Sequence, residues 1–274
     1  MANYSTEIKL KLKSRNIYYL LVGLTAPMLT YSNHFPRVNL NFAQEIEHSR
    51  FENENVTGDT IDDESYITDE FLMGKFQYSQ HKRFMKVPKE LSSKEIYIQQ
   101  ETLKAFEQMN RAANADGVTF IILSGTRNFS EQKKIWENKW NKYYPKYNNS
   151  KTTALKILEY SSMPSTSRHH WGTDIDINAL NNEYFTNGRG KREYDWLIKN
   201  ASRFGFYQTY DSKKSGRTGY SEEKWHWSYL PLAEKYLMLY NKRIQNDKIK
   251  GFIGAESASE IDIIRNYVNG IATK

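Results

Sequence analysis

Apolar positions recur every three to four residues between Glu101 and Ala115. Leu103, Phe106, Met109 and Ala113 share one face, which predicts an amphipathic helix. Ala115-Asp116-Gly117 ends it, with Gly117 placed as the C-terminal cap. Residues 118–123 (VTFIIL) are a short apolar run bounded by Gly117 and Gly125, the pattern of a buried strand. Ser130 is the expected N-cap of a second helix reaching about Trp140. Residues 143–150 (YYPKYNNS) read as a loop and 153–160 (TALKILEY) as a short helix. The pattern then switches to a period of two. Asp174-Ile175-Asp176-Ile177 alternates polar and apolar, so both aspartates share one face of a half-buried strand and both isoleucines enter the core. Residues 194–204 predict an amphipathic helix with Trp196, Leu197, Ala201 and Phe204 inward. Gly205-Phe206 opens a strand that leads to a Lys-, Ser- and Gly-rich loop over 209–220, either a border of the cleft or a solvated connection. Residues 225–229 (WHWSY) are aromatic and strand-like, with His226 on one face and the two tryptophans on the other. Two helices over 231–245 and 257–268 close the chain, the second carrying Ile261, Ile264 and Val268 as its stripe. The sum is an α+β fold, a small antiparallel sheet with helices packed around it.

The N-terminal third is patterned differently. Lys9, Lys11, Lys13 and Arg15 precede a mostly apolar stretch, residues 17–31, broken by Pro27. Residues 1–31 are therefore predicted to be a signal peptide or a membrane anchor. The stretch is short of the roughly 20 apolar residues a span needs, which leaves a buried first helix as the alternative. Residues 32–69 are polar, with ten acidic residues against one arginine between Glu45 and Glu70, and predict a linker or loosely held arm. A folded domain is expected over 70–232 and a helical extension over 233–274.

Composition changes this picture in two ways. The 274 residues contain no cysteine, which excludes disulfides and thiol catalysis and restricts any metal site to imidazole and carboxylate. The net charge of +7 suits either nucleic acid or an anionic cell envelope. No nucleic-acid motif, no repeat and no Lys/Arg-dense run stands in the predicted core, so no nucleic-acid partner is expected.

Three of the six histidines, His169, His170 and His226, lie in two short stretches, residues 167–176 (SRHHWGTDID) and 223–226 (EKWH). Catalytic zinc takes three protein ligands and keeps a position for water. A separate carboxylate must then move the proton. The two predicted strands can present His169, Asp176 and His226 to one ion, and Glu223 stands three residues before the last imidazole. Residues 124–127 (SGTR) add a cation, Arg127, just past the apolar strand.

Ser167-x-His169-x-x-Gly172-x-x-x-Asp176 followed by Glu223-x-Trp225-His226 resembles the signature of the D-alanyl-D-alanine carboxypeptidase family of zinc peptidases. That family includes VanY-type carboxypeptidases and VanX-type dipeptidases, and shares its fold with the hedgehog signalling domain. Residues 124–127 with Gln132 resemble its Ser-Gly-Tyr-Arg segment, Thr126 replacing the aromatic residue. The resemblance spans about residues 70–232. It implies Zn2+ held by His169, Asp176 and His226, Glu223 as general base and then acid, and Arg127 stabilising the oxyanion. It implies substrate contacts from Ser167 and Gln132. It also implies removal of the terminal D-alanine of peptidoglycan stem peptides in the cell envelope, with N-terminal membrane association if the first segment is retained. Endopeptidase and dipeptidase activities, or a non-catalytic zinc-containing wall-binding module, are the alternatives. Asp174 departs from the family pattern, where a small residue is usual, and either competes for the metal or orients a ligand from behind. His170 and Glu222 are expected to be structural and solvated, respectively.

Overall fold

The computed structural model describes residues 64–273. The apolar segment 17–31 and the acidic arm up to residue 63 lie outside the described residues, so the signal or anchor and most of the linker do too. The described chain falls within one unit, Ile61–Lys274.

A single-turn helix, α1 (Asp69–Leu72), is capped by Thr68, whose hydroxyl accepts from Phe71 N–H at 3.1 Å. β1 (Phe84–Lys86) and β2 (Tyr97–Gln99) pair antiparallel. α2 (Gln100–Ala115) follows the predicted stripe, with Leu103, Phe106, Met109 and Ala113 buried. Beyond Gly117 the regular strand is shorter than the apolar run suggests: β3 covers Ile122–Ser124 only. Side chains replace the ladder before it. Phe120 N–H donates to Asn110 Oδ1 and Ile121 N–H to Asn178 Oδ1, so these extended residues need no strand partner.

α3 (Phe129–Tyr147) is longer at both ends than its pattern predicts. Its cap is Asn128 rather than Ser130. Asn128 Oδ1 accepts from Glu131 N–H at 2.9 Å while Glu131 Oε2 accepts from Asn128 N–H at 2.8 Å, a reciprocal box that Ser130, followed by Lys133, does not offer. The helix also runs through Pro145, placed in its last turn, where stacking of Trp140 on Tyr144 (ring centroids 5.6 Å) continues the helical surface. Asn148, at φ +46°, ends it.

α4 (Ser150–Ile157), β4 (Asp174–Ile177), α5 (Gly188–Asn200), β5 (Phe206–Gln208), β6 (His226–Tyr229), α6 (Leu230–Arg243) and α7 (Ser257–Ile261) complete the set. α5 ends in a 3₁₀ turn over Ala201–Phe204. The last predicted helix is broken: Asp262 takes φ +50°, and a separate π turn covers Ile264–Val268. The main sheet is antiparallel throughout, in the order β3-β4-β6-β5.

Two cores flank the chemistry. Behind the sheet, Ile122, Ile175, Ile177, Phe206 and Trp227 pack with Phe106 and Met109 of α2 and Trp196 and Leu197 of α5. A second, aromatic core joins Phe71, Trp136, Trp140, Trp171, Tyr236 and Tyr240, so α6 and α7 share the cluster of α1 and α3. Each such side chain contributes about 1.5–3 kcal/mol on burial. The loop carrying residues 167–173 is pinned between them. Gly172 sits at φ +70°, and a Cβ there would lie 2.4 Å from the Phe84 ring, so both conformation and space require glycine.

Candidate active site

Strand register brings the three sequence motifs into one line. Ser124 of β3 faces Asp176 of β4, and Asp176 faces His226 of β6. One step along the same face, Asp174 is paired with Ser228. The opposite face carries Ile175 and Trp227 into the core. The first row opens on a cavity of about 460 Å³ lined by Arg127, Gln132, His169, Asp176, Glu223 and His226, with Lys139, Tyr210, Tyr220 and Trp225 among its other walls. Trp225 corrects one expectation. It precedes β6 and lines the cavity, and Trp227 alone of the pair turns into the backing core.

His169 comes from the 3₁₀ turn Arg168–Trp171 rather than from a strand. Its Nδ1–H donates to the Gly125 carbonyl at 2.8 Å, which leaves Nε2 as a lone pair 3.5 Å from Asp176 Oδ2. Burial, with Arg127 nearby, lowers its pKa. His170 points elsewhere. Its Nδ1–H donates to the Arg127 carbonyl at 2.6 Å and its Nε2 accepts from Ser165 N–H at 3.1 Å, so both nitrogens are used structurally. Burial pushes it down to about 3, and a Cβ at Gly74 would overlap its ring.

His226 sits between the two aspartates. Nδ1 lies 3.1 Å from Asp176 Oδ1 on the cavity side, and Nε2 lies 2.9 Å from Asp174 Oδ2 behind it. Both carboxylates only accept, so the ring bridges them as an imidazolium. Burial opposes that charge, but the two carboxylates outweigh it and push His226 up to about 9. Among the described residues, His169, Asp176 and His226 offer donor atoms all within 4.8 Å of one another, and all three are buried. Two imidazole nitrogens and one carboxylate suit zinc, provided the His226 Nδ1 proton leaves.

Asp174 is therefore not a fourth ligand. It is fully buried, and besides His226 it accepts from Arg168 Nε at 2.9 Å, Ser228 Oγ at 2.7 Å and Thr173 Oγ1 at 2.8 Å. Burial alone would raise its pKa; Arg168 and His226 more than reverse that and hold the carboxyl well below the usual range. This is the carboxylate–histidine arrangement that orients a metal ligand from behind.

The Glu223-x-x-His226 spacing is a turn. His226 N–H donates to the Glu223 carbonyl at 3.2 Å, and the Glu223 carboxylate returns to 3.7 Å from His226 Nδ1. Glu223 is 6% exposed, and burial pushes it up to about 8. Arg127 is braced by Gln132, which accepts from its Nε at 2.9 Å, and by Ser124, which accepts from Nη1 at 2.6 Å. Nη1 also lies 3.9 Å from Asp176 Oδ2. Gln132 spends its other end on the Ser162 carbonyl. Ser167 is buried, its hydroxyl bonds to no described group, and it does not line the cavity. Lys139 was not singled out by sequence; one lysine among many on a helix gives no signal until the helix is placed. Of the loop 209–220, Tyr210 and Tyr220 reach the cavity.

The family model described as VanY: D-alanyl-D-alanine carboxypeptidase matches residues 95–232, just over half of the 274-residue chain. A D-alanyl-D-alanine carboxypeptidase of Enterococcus faecalis (strain ATCC 700802 / V583) is 36% identical over 119 residues, 43% of each protein. The chain thus spans less than half the length of that relative. Among solved structures, VanYB in complex with D-alanine-D-alanine is 27% identical, covering 62% of this chain and 89% of its own, with a TM-score of 0.46. A Zn(II) complex of a VanY D,D-pentapeptidase variant from a VanB-type cassette is 28% identical, covering 63% and 93%, with a TM-score of 0.43. By the extent of the family match, the chain belongs to the VanY family of D-alanyl-D-alanine carboxypeptidases.

Proposed function

We propose that this protein is a zinc-dependent carboxypeptidase that removes the terminal D-alanine from peptidoglycan stem peptides, acting in the cell envelope. The observation that carries this reading is the meeting, in one cavity, of three buried donors, a buried carboxylic acid three residues from one of them, and a braced guanidinium. The envelope assignment rests on the basic-then-apolar N-terminus alone.

His169 through Nε2, Asp176 through its carboxylate and His226 through Nδ1 are the residues to hold the ion. When bound, zinc supplies an acidified water and polarises the scissile carbonyl. Glu223 takes the water's proton and hands it to the departing amine of D-alanine. Burial raises the Glu223 carboxyl, which makes it a stronger proton acceptor in its ionised form than an exposed carboxylate. Arg127, held in place by Gln132 and Ser124, presents its charge where the carbonyl oxygen gains negative charge. Asp174 holds the His226 ring in the orientation that aims Nδ1 at the cavity.

The test is mass spectrometry of a synthetic stem pentapeptide ending in D-Ala-D-Ala after incubation with the purified chain. Loss of one alanine, abolished by a chelator and restored by zinc, is expected. Zinc bound at one equivalent with no cleavage of pentapeptide, tetrapeptide or cross-linked fragments would instead favour a wall-binding module.

A further inference from the structure

The cavity holds a second cation that neither the ligand set nor the oxyanion site uses. Gln132, Ile135 and Lys139 form a stripe along α3 at a spacing of three and four, and all three line the cavity. The Lys139 ammonium donates to Ser161 Oγ at 2.5 Å, and Ser161 lines the same wall. Among the described residues it forms no ion pair, unlike Lys133 with Glu137 or Lys156 with Glu159 on the surface. Burial lowers its pKa, with Glu223 opposing and Arg127 adding to the effect, which places it within reach of the reacting groups' field. An ammonium carries three donors, and a hydroxyl occupies one. A partly buried cation with a single neutral partner is costly unless an anion joins it.

Arg127 is the other cation of the cavity, but its Nε and Nη1 donate to Gln132 and Ser124 and its charge faces Asp176, on the side where the reaction places the carbonyl oxygen. Yet the substrate of a carboxypeptidase brings at least one carboxylate into the cleft, one residue beyond the scissile bond. A stem peptide with an acidic side chain before its first D-alanine brings another.

Resting on the proposed carboxypeptidase reading, we infer that Lys139 is a specificity-determining residue that binds a substrate carboxylate, with Ser161 fixing its ammonium against the cavity wall. The rest of the stripe supports this assignment: Gln132 ties the neighbouring Ser162 carbonyl to α3, so the loop and the lysine are held as one surface.

The experiment compares the zinc-loaded full chain with its Lys139→Met and Lys139→Arg variants. Three peptides are used. One has a free C-terminus and an acidic side chain before the first D-alanine, one has a C-terminal carboxamide, and one lacks the side-chain carboxylate. KM is read where a peptide is cleaved and the competitive inhibition constant where it is not; thermal melting confirms folding. Lys139→Met is expected to weaken binding of the fully charged peptide roughly 10- to 100-fold with kcat nearly unchanged, the size of a lost charged hydrogen bond. Lys139→Arg restores most of it. The loss disappears on whichever peptide lacks the carboxylate that Lys139 binds, which tells the terminal group from the side chain. Equal losses on all three peptides, or a fall in kcat with a displaced pH profile and unchanged KM, would overturn the inference and make Lys139 a modulator of Glu223. If the wild-type chain cleaves none of the peptides with zinc bound, the carboxypeptidase reading fails and this one falls with it.

Discussion

The two sides of the His226 ring repay comparison. On the cavity side, Nδ1 meets Asp176, with Glu223 3.7 Å away and Arg127 beyond, and a 460 Å³ space opens in front. On the buried side, Nε2 meets Asp174, which is closed off by Arg168, Ser228 and Thr173. The aspartates are two residues apart on one strand face, yet Asp176 lies at the cavity with the Arg127 guanidinium 3.9 Å away, while Asp174 is closed in by Arg168 Nε at 2.9 Å and by two hydroxyls. Like residues in like geometry become ligand and support because one row opens on space and the other is closed by direct hydrogen bonds from Arg168, Ser228 and Thr173. Access and hydrogen-bond closure, not residue type, decide which carboxylate is available to a metal.

Breaking each side should therefore fail differently. Glu223→Gln on the cavity side removes the proton carrier and should lower kcat by about 10²–10⁴, with zinc content unchanged by elemental analysis. Asp176→Ala should abolish stoichiometric zinc while leaving a folded chain. Asp174→Ala should instead cost about 3–5 kcal/mol in denaturant unfolding, because it strands the buried Arg168 charge. It should also weaken zinc binding about 10- to 100-fold. Replacing Arg168 by Met in the same chain should recover part of the stability but not the zinc affinity, which separates the two roles of Asp174.

pH sharpens the contrast. Without metal, His226 is raised to about 9 from an ordinary value near 6.5. Its contribution to stability is thus complete below about pH 6.5 and lost as pH rises toward 9. Zinc affinity runs the other way, because the ion must displace the Nδ1 proton. It should increase by up to tenfold per pH unit over the same range, and calorimetry in buffers of different ionisation enthalpy should find about one proton released. The smallest expected effect is that of Gln132→Ala. It frees Arg127 to move without removing it and should lower kcat/KM by roughly tenfold, the scale of one neutral hydrogen bond to a charged group.

Much of the cavity side was legible in the sequence. The alternation in residues 174–177 places both aspartates on one face, and the Glu223-x-x-His226 spacing becomes the turn that returns the acid to its imidazole. The buried side was not. The family pattern already gave Asp176 as the ligand; that Asp174 supports His226 rather than competing required the position of Arg168, which the sequence places next to His169 but whose side chain turns away behind the strand. Helix boundaries failed where side chains took over backbone bonds. Asn110 and Asn178 end the need for a ladder before Ile122, and Asn128 with Glu131 moves the start of α3. Lys139 was invisible because a helical stripe acquires a meaning only when the helix is docked against a cavity.

The most direct test of the two-sided account is anomalous diffraction at the zinc edge from crystals of the zinc-loaded chain. One ion is predicted at about 2.0–2.2 Å from His169 Nε2, an Asp176 carboxylate oxygen and His226 Nδ1, with Asp174 still on His226 Nε2. An ion bound to Asp174, or to His226 through Nε2, would contradict it.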